Sequence, residues 1–359
     1  MNTKELYQGE PDYATPPGAL LLDVLEQWNM TQVELAKRLG LHKKTVNDII
    51  KGTGPILMET ALNLERVFGI SANLWLNAEN TYRIRKKRLE ENMAQYKDIL
   101  SMPAIKELKK RGYIPEYSSP EEGVESVLKF FGESSVDQMR KNWENPTVAL
   151  RHSKKVSGDP VALAAWLRIG YLESLNRQCD KYDERIFLNV LNKIRSFTKD
   201  EPSCFITAMI DLCAQSGVAL VFVKEFKNAA VNGAACWLPS EKAIILINLR
   251  GKKNDIFWFT FFHEAAHILL GRKKECYIDY NDKNLKNAEE IEADNFAASF
   301  LIPADRNAEL KKLSSRESII AFADQLGIHP SIVVGRLQHE GIIQFNQMNE
   351  LKIHYQWKE

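Results

Sequence analysis

Nowhere in this 359-residue chain is there a run of about 18 apolar residues, the least that would carry a helix across a bilayer. No membrane partner is therefore expected. The opening residues, MNTKELYQGEPDY, are polar and acidic, which argues against the basic start and apolar core of a secretory leader. These two absences predict a cytoplasmic protein. An excess of one charge is missing too: 48 Lys and Arg stand against 47 Asp and Glu, a net of +1. No global field draws the chain to nucleic acid, so such binding has to come from a local cluster. Cysteine is scarce and odd in number, five in all (Cys179, Cys204, Cys213, Cys236, Cys276), with no CxxC pair. That pattern predicts reduced thiols rather than a disulfide framework. What is present is ordinary for a globular protein: 45% hydrophobic and 26% charged residues, in a chain long enough for two or three cores.

Residues 17–92 read as consecutive short helices with no strand signal. TQVELAKRLG opens on Thr31 with Glu34 three residues on, a capping box, and stops at Gly40. HKKTVNDIIKG follows after almost no loop. Residues 93–160 are helical in texture but broken by Pro103, Gly112, Pro115 and SSPEEG. Three amphipathic helices follow, and at Gly217 the period changes. VALVFVKEF, GAACWLP and KAIILINLR are β-rich runs between turn residues, which predicts a small sheet. Helical texture returns at NDIFWFTFFHEAAHILLG and NAEEIEADNFAASFLIP. The reading is an all-α N-terminal domain followed by an α+β domain. One internal likeness stands out: LAKRLGLHKKTVNDII and AFADQLGIHPSIVVGRL share an A-x-x-L-G-(aliphatic)-H core, with Val46 and Val333 in matching places.

FHEAAH is the stretch richest in chemistry. On a helix, His263 and His267 lie one turn apart on one face and can offer two imidazole nitrogens to one ion. Glu264, beside them, suits a general base that takes a proton from an attacking water. Two core histidines could show the same spacing, so a third ligand is required. The carboxylates downstream are Glu275, Asp279, Asp282, Glu289, Glu290, Glu292 and Asp294. On the helix NAEEIEADNFAASFLIP, Glu292, Asn295 and Ser299 make a polar side. Glu290 and Asp294 share the opposite side with Ala297 and Leu301. Carboxylates on an apolar face are costly unless paired, so Glu290 is the candidate third ligand. Asp294 is the candidate partner of a histidine ring N–H. Two imidazoles and a carboxylate predict Zn2+ with a fourth position open. His339, in GRLQHEG, is a candidate stabiliser of the oxyanion on chemistry alone.

FWFTFFHEAAHILLG, EIEADNFAASFLIP and GAACWLPSEKAIILINL together resemble the ImmA/IrrE family of zinc metallopeptidases, over roughly residues 160–345. The resemblance implies a zincin-like α+β metallopeptidase domain whose HExxH helix carries His263, Glu264 and His267, with Glu290 as further ligand. It also implies a protein substrate, commonly a repressor. Ala266 stands where family members often have Gly, and Asp294 where they often have Asn.

Residues 1–92 hold twelve basic and twelve acidic residues, but their placement is uneven. Lys37, Arg38, Lys43, Lys44 and Lys51 surround the second and third helices against the single Asp48. In a helix-turn-helix the start of the second helix enters the major groove. Here that helix presents His42, Lys43, Lys44, Thr45 and Asn47 outward, with Lys51 at its end, while Val46, Ile49 and Ile50 pack inward. Thr31 and Gln32 are placed to touch phosphates. The region resembles Xre-type helix-turn-helix antitoxins of the HigA family, which implies a homodimer on double-stranded operator DNA. Asp48 departs from the basic residue often found there. The second such pair, near the C-terminus, carries only Asp324 and Arg336 over residues 321–337 and is not expected to read DNA.

The organisation expected is therefore a DNA-binding domain over 1–92, a helical connector over 93–159, and a metallopeptidase domain over 160–359. Two functions follow. In one, a transcriptional regulator fused to a zinc endopeptidase cleaves a regulatory protein, either a repressor-like partner or itself. In the other, an antitoxin and autorepressor binds operator DNA and a toxin, and its metal domain senses or binds without proteolysis.

Overall fold

The computed structural model describes residues 14–90, 93–144, 158–238, 242–271, 276–280 and 288–357. The polar opening stretch, the second half of SSPEEG's downstream connector (145–157), Glu275 and Asp282 lie outside the described residues. The chain divides into two compact units, 1–100 with 116–125, and 101–115 with 126–359. No single helix among the described residues is long and apolar enough to cross a membrane.

The first unit holds α1 (Pro17–Gln27), α2 (Gln32–Leu39), α3 (Lys43–Ile50), α4 (Met58–Phe68), α5 (Ala72–Glu90) and α6 (Met93–Ser101). Leu21, Leu35, Val46, Ile49, Leu64 and Trp75, one or two from each of the first five helices, close a single core. Thr31 caps α2 by accepting from the Glu34 N–H at 3.2 Å. The expected capping box is only half made, because the Glu34 carboxylate instead takes Arg38 at 2.6 Å. At Gly40 the backbone enters the left-handed region (φ 68°, ψ 26°). Glycine is at ease there, and the short turn into α3 depends on it.

The second unit begins with α7 (Pro103–Lys110), α9 (Val136–Glu144), α10 (Pro160–Leu175), α11 (Glu184–Ser196) and α12 (Pro202–Gln215); between α7 and α9, α8 (Pro120–Phe131) spans the boundary of the two units. A four-stranded sheet follows, built from β1 (Val218–Phe222), β2 (Val231–Trp237), β3 (Ala243–Ile247) and β4 (Cys276–Tyr280). Their order is β1-β3-β2-β4; β1 and β3 run parallel, and the other two pairs antiparallel. Sequence reasoning found the first three strands and missed β4 on the sheet's edge. Across β2 and β3 lies α13 (Asn254–Leu270), followed by α14 (Ala288–Leu301), α15 (Asn307–Leu310), α16 (Arg316–Leu326) and α17 (Pro330–His339).

α13 is apolar almost all round, the composition of a helix meant for burial on every side. Every residue from Phe261 to His267 is 3% exposed or less. Its first turn is pinned by later residues. The Asp255 carboxylate meets Lys352 at 2.5 Å, both buried, and Lys352 also donates to Gln338 at 2.8 Å. Asn254 accepts from the Ile353 N–H at 3.1 Å and pairs with His329 at 3.2 Å. α14 is held at its far end, where the half-buried Arg195 donates to the Phe300, Leu301 and Leu326 carbonyls at 2.9, 2.8 and 3.0 Å. One guanidinium thus satisfies helix-end carbonyls of both α14 and α16 that have no intrahelical partner.

Candidate metal centre

The histidines of α13 turn toward α14. His263 Nε2 and His267 Nε2 are 3.1 Å apart. Glu290 Oε2 lies 3.2 Å from the first, and Glu290 Oε1 3.5 Å from the second. A tetrahedral ion with bonds of about 2.0–2.1 Å keeps its ligand atoms about 3.3–3.4 Å apart. The two imidazole nitrogens and the two oxygens of the Glu290 carboxylate therefore stand close to the spacing such an ion requires. Among the described residues, these are the one set of three His, Cys, Asp or Glu whose ligand atoms come within 4.8 Å of one another.

The surroundings orient each donor. His263 Nδ1 is 3.0 Å from Asp294 Oδ1. A carboxylate only accepts, so the ring proton sits on Nδ1 and Nε2 keeps its lone pair for the cluster. The helix-face reading holds along α14: Ala293, Ala297 and Leu301 are buried, Glu292, Asn295 and Ser299 are exposed, and Glu290 and Asp294 are half-buried. Burial pushes the Glu290 carboxyl up, but when the two rings are protonated toward it, hydrogen bonds and charge from His263 and His267 outweigh burial and hold the group down at about 2.

Two neighbours of the predicted residues, Tyr277 beside His267 and Gly233 beside Glu264, were not anticipated. The Tyr277 ring on β4 lies flat on His267, centroids 4.5 Å apart and planes 8° apart. Glu264 is fully buried against β2, where Gly233 faces its side chain. Neither had a signal in the sequence, since both depend on how strands pair. His339 is exposed at the end of α17 and is not among the gathered residues.

The cysteine expectation is corrected in one respect. Cys236 and Cys276 stand directly opposite on β2 and β4, Cα atoms 4.1 Å apart, and are joined in a disulfide. Sheet register makes neighbours of residues 40 apart in sequence, which no CxxC search detects. Cys179, Cys204 and Cys213 are free.

In the first unit, the side chains named for DNA lie on the outer surface of the α2–α3 pair. Thr31, His42, Lys43, Lys44, Thr45 and Lys51 are exposed, and Gln32 and Asn47 half-buried. Val46, Ile49 and Ile50 are buried beneath them.

Comparison with known proteins assigns both halves. Residues 215–337 match the peptidase M78 family, described as the IrrE N-terminal-like domain, and residues 21–75 match a helix-turn-helix family. The chain carries a helix-turn-helix domain over residues 21–75 and an IrrE-like peptidase domain over residues 215–337. Virulence-associated protein I of Dichelobacter nodosus is 33% identical over 73 residues, 20% of this chain and 68% of that protein. An uncharacterized HTH-type transcriptional regulator of Haemophilus influenzae is 27% identical over 82 residues, 22% of this chain and 77% of the relative. Among solved structures, PA4674 of Pseudomonas aeruginosa in complex with its operator DNA is 28% identical and has a TM-score of 0.22. It covers 24% of this chain and 90% of its own. An addiction module antidote protein of a HigA family from Coxiella burnetii is 28% identical, covers 28% and 96%, and has a TM-score of 0.19.

Proposed function

We propose that this chain is a DNA-binding transcriptional regulator joined to a zinc endopeptidase that hydrolyses a peptide bond in a regulatory protein. Residues 1–92 bind operator DNA, 93–159 connect, and 160–359 carry out the hydrolysis. The observation that carries the hydrolytic half is the spacing of 3.1, 3.2 and 3.5 Å among two imidazole nitrogens and a carboxylate. Two nitrogens and one oxygen suit zinc, whose catalytic sites keep a fourth position open. When bound, zinc supplies a Lewis acid that polarises the scissile carbonyl and makes a water acidic enough to attack it near neutral pH.

The protein's own groups do the rest. His263, His267 and Glu290 hold the ion, and Asp294 fixes the His263 tautomer. Glu264 takes a proton from the attacking water and passes it to the departing amine. Its burial keeps bulk water from competing for that proton. On the DNA side, Lys43, Lys44 and Lys51 pair with phosphates, while His42, Thr45 and Asn47 face the base edges.

One comparison tests the hydrolytic reading. Wild-type protein and Glu264→Gln are each purified, analysed for metal, and incubated with a repressor-like partner produced alongside them. Both should carry one zinc per chain, and only the wild type should cut the partner. A zinc-free wild type, or equal cleavage by the two proteins, overturns the assignment.

A further inference from the structure

We propose that Gly233, which flanks a bulge at Asn232 in β2, is the seat of the Glu264 carboxylate, and that Gly233 is a positioning residue for the reaction. The inference rests on Glu264 being the general base, as proposed above; the steric contact itself does not.

Three observations meet at this point. First, β2 and β4 slip register here: Val231 pairs with Tyr280 and Gly233 with Asp279, so two steps on β2 answer one on β4. Bulges of this kind bend a strand and re-aim what it carries, and they concentrate beside active sites. Second, the bulge is built in from its other side. The buried Asn248, just beyond β3, donates its side-chain amide to the Val231 carbonyl at 2.9 Å, and its backbone N–H bonds to the Asn232 carbonyl at 3.3 Å. The Asn248 carbonyl oxygen in turn accepts from the Arg250 N–H at 2.9 Å, so the amide cannot flip without losing a bond.

Third, the strand faces Glu264 at its one residue without a side chain. A methyl group on Gly233 would lie 2.5 Å from Glu264 Oε1, 2.8 Å from Cγ and 2.9 Å from Cδ. Those distances are well inside van der Waals contact, and Glu264 is wholly buried, so it has little room to retreat. Glycine at 233 is therefore what lets the carboxylate lie against the strand. The three atoms nearest to such a methyl group all belong to Glu264 and none to His263, His267 or Glu290. The seat thus separates two properties that usually fail together, holding the ion and placing the base.

The test is a set of variants of the full chain. Gly233→Ala should keep one metal per chain and, loaded with cobalt(II), keep the visible absorption band of the wild type, since His263, His267 and Glu290 are untouched. Its unfolding midpoint should fall. Combining it with Glu264→Ala should bring the midpoint back above that of Gly233→Ala alone, because truncation removes the atoms the methyl strikes. On the partner protein cut by the wild type, Gly233→Ala should lose about 10²- to 10⁴-fold in kcat with little change in KM. Glu264→Asp, one methylene shorter, should recover part of that loss in the double variant.

A Gly233→Ala midpoint that does not fall, or that truncating Glu264 does not restore, overturns the seat. So does a cobalt spectrum that changes with Gly233→Ala, which would place the damage at the metal ligands. If the midpoints couple as expected but wild type, Gly233→Ala and Glu264→Gln cut the partner equally, the seat stands and the general-base reading falls.

Discussion

The turn from α2 into α3 and the turn from α16 into α17 have nearly the same backbone. Gly40 and Gly327 sit at φ 68°, ψ 26° and φ 68°, ψ 29°, and the histidines that follow, His42 and His329, at φ −73°, ψ 146° and φ −72°, ψ 140°. The surroundings differ at almost every outward position of the second helix. Lys44 is exposed where its counterpart Ser331 is wholly buried, and Thr45 is exposed where Ile332 is 5% exposed. Half-buried Asn47 answers to Val334 at 0%. α17 spends its outer face on α13, the helix of His263 and His267. A helix–turn–helix geometry is therefore a way of presenting one helix face, and what that face meets decides its use.

The comparison can be broken by exchanging residues across it. Ser331→Lys puts a charge where there is no water and removes the hydroxyl that meets His329 Nδ1 at 2.9 Å. A loss of about 3–5 kcal/mol, or no folded C-terminal unit at all, is expected in denaturant unfolding. The reverse change, Lys44→Ser, should stay within about 0.5 kcal/mol, as surface substitutions do. Equal costs at the two positions would show that burial is not what separates the pairs.

A smaller effect sharpens the other side. Lys43→Ala with Lys44→Ala should leave the unfolding midpoint in place and weaken operator binding across sequences. If both lysines neutralise phosphates, the slope of log K against log salt should shrink by roughly 1.8, about 0.9 for each. An unchanged slope would remove these lysines from the DNA surface.

The smallest difference should be none. Gly40→Ala and Gly327→Ala each force an L-residue into the left-handed region, and a methyl group at either position meets nothing within 4 Å. Both should cost about 1–2 kcal/mol for backbone reasons alone. If the two costs diverge by much more than measurement error, the turns are not equivalent and the comparison fails at its base.

Local periodicity made much of this legible in advance. The apolar side of α14 singled out Glu290 and Asp294 because a helix repeats its faces within one segment, and a buried carboxylate demands a partner. The shared A-x-x-L-G-(aliphatic)-H core likewise marked both helix pairs. What escaped depends on pairing between distant segments. β4 is five residues long, and its register against β2 sets the Cys236–Cys276 bridge, the Tyr277 ring on His267 and the bulge beside Gly233. None of these has a period that one segment can display. The half-made capping box is a different miss: the pattern was right, but Arg38, one turn on, took the Glu34 carboxylate.

The pinning of α13 also has a consequence in time. The helix that carries His263 and His267 has its first turn tied down by Lys352 and Ile353, which leave the ribosome long after it does. The helix-turn-helix domain needs nothing beyond its own early residues for its core. At about 5–20 residues per second, tens of seconds separate the two events. A nascent chain therefore has the outer face of α2 and α3 well before His263 and His267 are locked in place, so the candidate metal centre takes shape long after the helix-turn-helix surface.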